Sequence, residues 1–440
     1  MSILSSWKAF LAPKMRRVLQ FLTVQGITMV GNFVYGLLCV RMLPIGEYAK
    51  FAVVFGTLGT LTVLMDVNFS GSLIPLVGEE IDNLTLIADY VASLRQLALR
   101  VYLVVAPVAI VAFPLLVRRQ HWNWKVVTAM VVILLVAAWF SRVSGAYGAV
   151  LIVRRDHKNW YRAQMISSLG TLVLLIALWA VHWVNAFSAI VLNVLGIVFI
   201  AAYFFFRAHQ LLKQKGRPSR EMRKAIVHLA MPNMSNAIFY ALQGQISLVL
   251  VTFFGQTTAV AGVGALGRLG QAFVLFSQMN PLLIVPYFAK LPRARLKANY
   301  NGVILAEAML CLFITGLAAV WPGLFLWVLG PKYGNLRFEV LLMVAARSMG
   351  YMGGLLWGIH SARRFVYWWN GMATILVTLL IQVAFIWKAD LSTVRGVLIL
   401  GLTTTGASLL INLLTGLYGF VWGPRNIHTT ALKPEGLEYE

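Results

Sequence analysis

Three arginines, Arg142, Arg268 and Arg347, lie inside long apolar stretches of this 440-residue chain. A charged side chain at membrane depth is costly and is usually functional or paired. A guanidinium group held there forms forked, charge-assisted hydrogen bonds to anions such as phosphates. The alternative is that each arginine snorkels to the membrane surface, or forms an ion pair with one of the acids at depth, Glu307 or Asp66. These two acids are also the candidates for coupling to an ion or proton.

Polar side chains repeat at steps of three or four residues in the first and seventh apolar stretches. Such steps place all members of a set on one helical face. Amide and hydroxyl groups on that face suit either a polar lumen or hydrogen bonds between neighbouring helices. Gln271 shares a face with Arg268 in the same way. The candidate lumen residues are Gln25, Asn32, Tyr35, Asn233, Asn236, Tyr240, Gln243 and Gln271, together with the three arginines.

The composition of the chain indicates that it is embedded in a membrane. Hydrophobic residues make up 60% of the chain and charged residues only 12%, against about 25% charged in soluble domains. This excludes an ordinary soluble enzyme, a disordered chain and a disulfide scaffold. The net charge of +23 comes from lysines and arginines between apolar stretches, which is typical of membrane topology rather than of nucleic-acid binding. The cysteines, Cys39 and Cys311, have no metal-ligand spacing.

Twelve apolar stretches are long enough to cross a bilayer, which takes about 20 residues. They predict an all-α polytopic membrane protein with about twelve transmembrane helices in two pseudo-symmetric six-helix bundles. Helical spacing between Glu79 and Arg95 predicts a separate amphipathic helix on the membrane surface. The predicted spans are residues 18–40, 48–67, 98–117, 126–152, 163–182, 186–206, 229–254, 260–288, 302–321, 338–359, 368–387 and 396–421.

The basic residues set the orientation. With the N-terminus inside, cytoplasmic segments carry 25 lysines and arginines and outer segments carry 9. Since cytoplasmic loops are enriched in these residues, both termini are expected in the cytoplasm.

The two halves of the chain resemble each other. At an offset of 208 residues, Gly36, Gly56 and Gly59 match glycines of the second half. At an offset of 205, Arg142-x-x-Gly-x-x-Gly matches Arg347-x-x-Gly-x-x-Gly. This predicts that the two arginines face each other across the axis of a duplicated unit, as in carriers whose bundles rock about a central site. The predicted domains are residues 1–206, a basic linker 207–228, a second bundle 229–423 and a cytoplasmic tail 424–440.

Motifs of nucleotide motors, zinc proteases and serine hydrolases are absent from the sequence. The outer loops are also short, with no room for a catalytic domain. No cofactor or metal is expected, and an enzyme is not expected either.

Two segments resemble Wzx-type polysaccharide flippases of the multidrug/oligosaccharidyl-lipid/polysaccharide (MOP) exporter superfamily. These segments are Arg41-Met-Leu-Pro-Ile-Gly-Glu-Tyr-Ala-Lys-Phe and Leu64-Met-Asp-Val-Asn-Phe-Ser-Gly-Ser-Leu, although Asn68 stands where that family commonly has glycine. The runs Gly148-Ala-Val-Leu-Ile-Val-Arg-Arg and Leu356-Trp-Gly-Ile-His-Ser-Ala-Arg-Arg also resemble the family's ends of spans four and ten.

The resemblance implies a transporter in the bacterial inner membrane. It would flip an undecaprenyl-pyrophosphate-linked oligosaccharide from the cytoplasmic to the periplasmic leaflet by alternating access, for exopolysaccharide, capsule or O-antigen synthesis. Its implied partners are this lipid-linked oligosaccharide, membrane lipid, and the polysaccharide polymerase and glycosyltransferases, with no nucleic acid. One alternative is a multidrug/cation antiporter of the same superfamily, which would need acidic residues inside the membrane. The other is a membrane polysaccharide polymerase or ligase, which would need a longer outer loop with reactive groups.

Overall fold

The computed structural model describes residues 15–422, apart from positions 68, 79, 81, 279, 364 and 366. The first half of this range consists of helices joined by short turns. They are α1 Met15–Met42, α2 Ile45–Asp66, α3 Leu73–Val77, α4 Leu84–Val117, α5 Trp124–Val153, α6 His157–Ala180 and α7 Ala186–Leu212.

The second half is also helical, but its first two spans are interrupted. Its helices are α8 Arg220–Gln243, α9 Ile246–Phe254, α10 Thr257–Gly270, α11 Ala272–Ser277, α12 Val285–Lys290, α13 Arg293–Val320, α14 Pro322–Leu329, α15 Arg337–Ala362, α16 Trp368–Lys388 and α17 Val394–Trp422.

The predicted all-α polytopic architecture is confirmed. Within the described residues, nine helices are long and apolar enough to span a membrane, and the bent pair α8–α9 makes a tenth. The twelve predicted spans all fall on helical segments. The bundle boundaries stay a prediction.

Spans seven and eight are broken rather than straight. The α8 and α9 helices meet at an angle of 46°. Span eight consists of α10, α11, a π-helical turn Asn280–Ile284 and α12. Pro281 and Pro286 lie in the last part of this span, where each removes a backbone N–H from the helical ladder.

The predicted surface helix between Glu79 and Arg95 is wrong as a separate element, because α4 runs without a break from Leu84 into span three. Its apolar face is buried at Ile87, Ala88 and Val91. The linker after α7 docks on the neighbouring face, where the Arg217 amide donates to Asp89 Oδ1 at 2.6 Å. Contacts with protein, rather than with the membrane surface, therefore cover this segment.

The packing repeats between the two halves. In the first half, α5 packs along α7, α4 along α5, and α6 along α7; in the second, α15 packs along α17, α13 along α15, and α16 along α17. The halves meet where α2 packs on α10. Glycine permits this contact, since a Cβ at Gly264 would lie 2.6 Å from the Ala52 Cβ.

One pair of helices departs from this symmetry. In the first half α1 packs closely on α6. In the described part of the second half, α8 and α9 have no equally close packing on α16. A side-chain hydrogen bond from Gln382 to Gln243 joins α16 to α8. The space left between these helices is a cavity.

Candidate functional site

The cavity has a volume of about 830 Å³ and lies between α8–α11, α15, α16 and α17, with α2 closing one side. This is within the usual size of ligand pockets, about 300–1,000 Å³. Five of the sequence-predicted lumen residues line it: Tyr240, Gln243, Arg268, Gln271 and Arg347.

Arg268 occupies the last turn of α10 and is only 4% exposed. Its guanidinium carbon lies 3.8 Å from the ring centroid of Phe55 on α2, a cation–π contact. Its Nη1 donates a hydrogen bond of 3.4 Å to Gln271 Oε1. Gly36 of α1 leaves the space for the side chain, because a Cβ there would lie 2.9 Å from Nη1.

Arg347 reaches the same cavity from α15 and is exposed to it. Its aliphatic stem lies against the end of α10, where a Cβ on Gly270 would come within 2.5 Å of the arginine Nε. Arg268 and Arg347 therefore both lie at the C-terminal end of α10, which ends at Gly270.

No acidic residue is among those that line the cavity in the described part of the chain. The ion pairs recorded there involve other residues, so neither Arg268 nor Arg347 has a carboxylate within 4.0 Å. Two guanidinium groups without a counter-charge give the cavity a positive potential, which the surrounding low dielectric strengthens. The arrangement suits an anion.

Two helices opposite the arginines supply a set of hydroxyl and amide groups. On α16 these are Asn370, Thr374 and Thr378, and on α17 they are Thr404, Thr405, Ser408 and Asn412. This set was not predicted from the sequence, although its members recur mainly at four-residue steps, the same signal as in spans one and seven. Such groups suit the hydroxyls of a sugar.

The polar side chains predicted on the first apolar stretch lie on α1, and two of them form hydrogen bonds to neighbouring helices instead of lining the cavity. Asn32 Oδ1 accepts a hydrogen bond of 3.1 Å from the Ser168 hydroxyl of α6, and the Tyr35 hydroxyl donates to the Ala189 carbonyl of α7. Gln25 Oε1 is buried, with no hydrogen-bond partner among the described residues.

The other candidates also lie apart from the cavity. Arg142 stacks over Trp139 and does not face Arg347 across the cavity. Asp66 accepts from the Ser70 amide at 3.0 Å, and Glu307 accepts from the Tyr351 hydroxyl at 3.0 Å. The side chains of Asn233 and Asn236 are outside those that the structure describes.

Hydrogen bonds between the halves close one end of the bundle, where α1 and α4 terminate. Arg41 Nε donates to the Val328 carbonyl at 2.9 Å, and Lys332 Nζ donates to two carbonyls of the α1–α2 turn at 2.9 Å. Gln120 Nε2 donates to two carbonyls at the end of α9, also at 2.9 Å. We call the bonds made by Arg41, Gln120 and Lys332 the clasp.

Solved structures with the same helix arrangement are transporters. An inward-facing multidrug resistance MATE family transporter of the MOP superfamily aligns over 90% of this chain and 94% of its own, with a TM-score of 0.67 and 14% identity. The chain has the fold of the MOP-superfamily transporters. The inward closed conformation of the lipid II flippase MurJ aligns over 92% of both chains, with a TM-score of 0.59 and 11% identity.

A MOP-superfamily transporter from Pyrococcus furiosus aligns over 91% of this chain and 93% of its own, with a TM-score of 0.52 and 15% identity. No family model matches the chain, and no curated protein matches its sequence. The twelve-helix, two-lobe fold shared with these structures makes the chain a multi-pass membrane protein.

Proposed function

We propose that this protein flips an undecaprenyl-pyrophosphate-linked oligosaccharide from the cytoplasmic to the periplasmic leaflet of the bacterial inner membrane. The observation that carries the proposal is a central cavity in which Arg268 and Arg347 have no acidic partner. A pyrophosphate brings the negative charge that these groups lack, and guanidinium groups bind it through paired hydrogen bonds.

The rest of the cavity fits the sugar part of such a substrate. The hydroxyl and amide groups of α16 and α17 suit sugar hydroxyls, and the rings of Phe239, Tyr240 and Trp357, which also line the cavity, suit sugar faces. The prenyl chain needs no binding site, because it stays in the bilayer while the head group crosses.

Closure of one end supports loading from the other. The clasp lies at the end that the charge bias assigns to the periplasm. The chain also aligns better with the inward-facing MATE transporter, at a TM-score of 0.67, than with an outward-facing one, at 0.54. Alternating access then requires breaking the clasp and closing the cytoplasmic side.

Relatives in fold are compatible with this substrate class. MurJ is named as a lipid II flippase. For the Pyrococcus furiosus transporter, a reverse polarity of the binding pocket suggests a different function. The fold therefore accommodates a lipid-linked substrate and pockets of different polarity.

The proposal is tested by calorimetric titration of the purified chain with a short-chain prenyl pyrophosphate that carries a disaccharide. We expect the Kd to rise at least tenfold in R268A and in R347A, and less in R268K and R347K, which keep a positive charge but lose the guanidinium fork. Unchanged affinity in both alanine variants, with unchanged thermal stability, would refute the proposal.

A MATE-like cation antiporter is the second candidate, because the fold match to MATE transporters is close. An organic cation needs a negative or neutral pocket, whereas this cavity carries two guanidinium groups. Efflux of a cationic dye from cells that express the chain, kept or increased in R268A and R347A, would favour this candidate.

Glu307, which accepts a hydrogen bond from Tyr351, and Asp66 are the acids proposed to couple transport to an ion or proton gradient. A polymerase and glycosyltransferases are the proposed neighbours in polysaccharide synthesis.

A further inference from the structure

Arg142 does not line the cavity but lies in the first half, near Arg95 of α4. Its guanidinium carbon is 3.9 Å from the ring centroid of Trp139, and the positive charges of Arg142 and Arg95 are close enough to interact. The guanidinium carbon of Arg95 is 5.5 Å from the ring centroid of Tyr147. We call Arg95 and Arg142 the α4–α5 arginine pair.

The pair has no acidic partner among the residues that the structure describes. Arg142 Nε is buried and has no hydrogen-bond partner among the described residues. Neither arginine takes part in an ion pair recorded in the described part of the chain. Two like charges held close to each other are unfavourable unless an anion from outside the protein compensates them.

The surroundings of the pair include an exposed tryptophan. Trp139 is 39% exposed, and Tyr102 of α4 packs edge-on against it, with the ring centroids 5.3 Å apart. Tryptophan is enriched where the hydrocarbon of a bilayer meets its head groups. The anion within reach of such a surface belongs to a membrane lipid.

The length of α4 places the pair near the head groups. A hydrocarbon core of about 30 Å corresponds to about 20 helical residues at 1.5 Å each. Counted back from the end of α4 at Val117, these residues reach Leu97, so Arg95 lies just beyond the apolar core.

We propose that the α4–α5 arginine pair binds the phosphate group of a membrane lipid, at a site separate from the central cavity. Two guanidinium groups supply forked hydrogen bonds to the phosphate oxygens, and the exposed Trp139 ring packs beside the head group. An anionic phospholipid and a prenyl pyrophosphate share this chemistry. The inference does not rest on the transport function proposed above.

The test counts lipids bound to the purified full-length chain by native mass spectrometry. The R268A/R347A background removes the contribution of the cavity. The probes are phosphatidylglycerol, a polyprenyl pyrophosphate and, as a lipid without phosphate, diacylglycerol. The variants are R95Q/R142Q and the matched control R100Q, which alters an exposed arginine of the same helix, about 140° away around the helix axis.

We expect affinity for a phosphate lipid to fall at least tenfold in R95Q/R142Q and to stay unchanged in R100Q. A loss for the pyrophosphate lipid alone identifies a pyrophosphate lipid as the ligand, and a loss for both lipids identifies a general phosphate site. R95Q alone, which alters an exposed side chain, keeps the test available if the double variant does not fold.

Unchanged binding of both phosphate lipids in the folded variants would overturn the inference. An equal loss of diacylglycerol binding would do the same, because it would show that the pair acts without phosphate. Neither outcome bears on the cavity, whose own test is binding of the pyrophosphate disaccharide to chains with the pair intact.

Discussion

At the scale of residues, the site depends on where two guanidinium groups are held. Gly270 leaves the space for the stem of Arg347, and an added Cβ would meet that stem at 2.5–3.0 Å. Gly267 lines the same cavity from the same helix, but a Cβ there has nothing within 4 Å. An alanine at position 270 should therefore move the charge of Arg347, whereas an alanine at position 267 should leave it in place. Both variants keep the charge itself.

We expect G270A to displace Arg347 and to weaken binding of the pyrophosphate disaccharide about tenfold, or about 1.4 kcal/mol. G267A should bind as the unaltered chain does. Titration calorimetry of both variants, with melting temperatures to verify folding, is the measurement. Equal affinity in G270A and G267A would show that the position of Arg347 does not matter.

Sequence reasoning found the arginines and not their neighbours. The types and depths of Arg142, Arg268 and Arg347 are readable from the chain, but each partner is set by tertiary packing. Asn32 pairs with Ser168, 136 residues away. A helical repeat shows which residues share a face and not what that face touches, so the α1 stripe and the α8 stripe looked equivalent.

At the scale of elements, we expect the clasp to hold the two halves together at one end of the bundle. Gln120 contributes two donated hydrogen bonds, and its Oε1 accepts a third from the Thr257 hydroxyl at 3.0 Å. Each such bond contributes about 0.5–1.5 kcal/mol. Loss of all three is enough to change the ratio of two conformations by at least tenfold.

We therefore expect Q120A to shift the protein toward a conformation open at the clasp. Spin labels on the ends of α4 and α14 should report a longer distance in Q120A, measured by pulsed electron paramagnetic resonance. R118A, which alters an exposed side chain at the same helix end, is the control. An identical distance distribution in Q120A and R118A would contradict this role of the clasp.

Helix existence was predictable from hydropathy, whereas breaks within helices were only partly so. The apolar stretch of span eight gives no sign of the π-helical turn at Asn280–Ile284, although its prolines indicate a kink. The continuity of α4 was not predicted, because its first turns are polar on one face, as in a separate helix on the membrane surface. In the structure the linker contacts this segment instead.

At the scale of the whole molecule, the orientation is a prediction from charge. Lys215 lies in the linker and Lys332 in the clasp, at opposite ends of the bundle if the spans alternate. We expect a cysteine at position 215 to react with a membrane-impermeant maleimide only after the cells are opened, and a cysteine at position 332 to react in intact cells. The reverse pattern would invert the proposed direction of transport.

The duplicated packing shows where the two halves differ around the cavity. The first half closes α1 on α6, and the second half leaves the equivalent space open beside α16. The repeat was visible in the sequence through matching glycines and arginines. The asymmetry was not visible there, and it lies beside the bend between α8 and α9.

The most direct test of the central claim is transport by the purified chain in proteoliposomes. A fluorescent pyrophosphate-linked oligosaccharide is placed in both leaflets, and its arrival outside is followed by an impermeant quencher. The account predicts flipping that falls at least tenfold in R268A/R347A, with no transport of a cationic dye. Dye transport, together with oligosaccharide flipping that is equal with and without the two arginines, would contradict it.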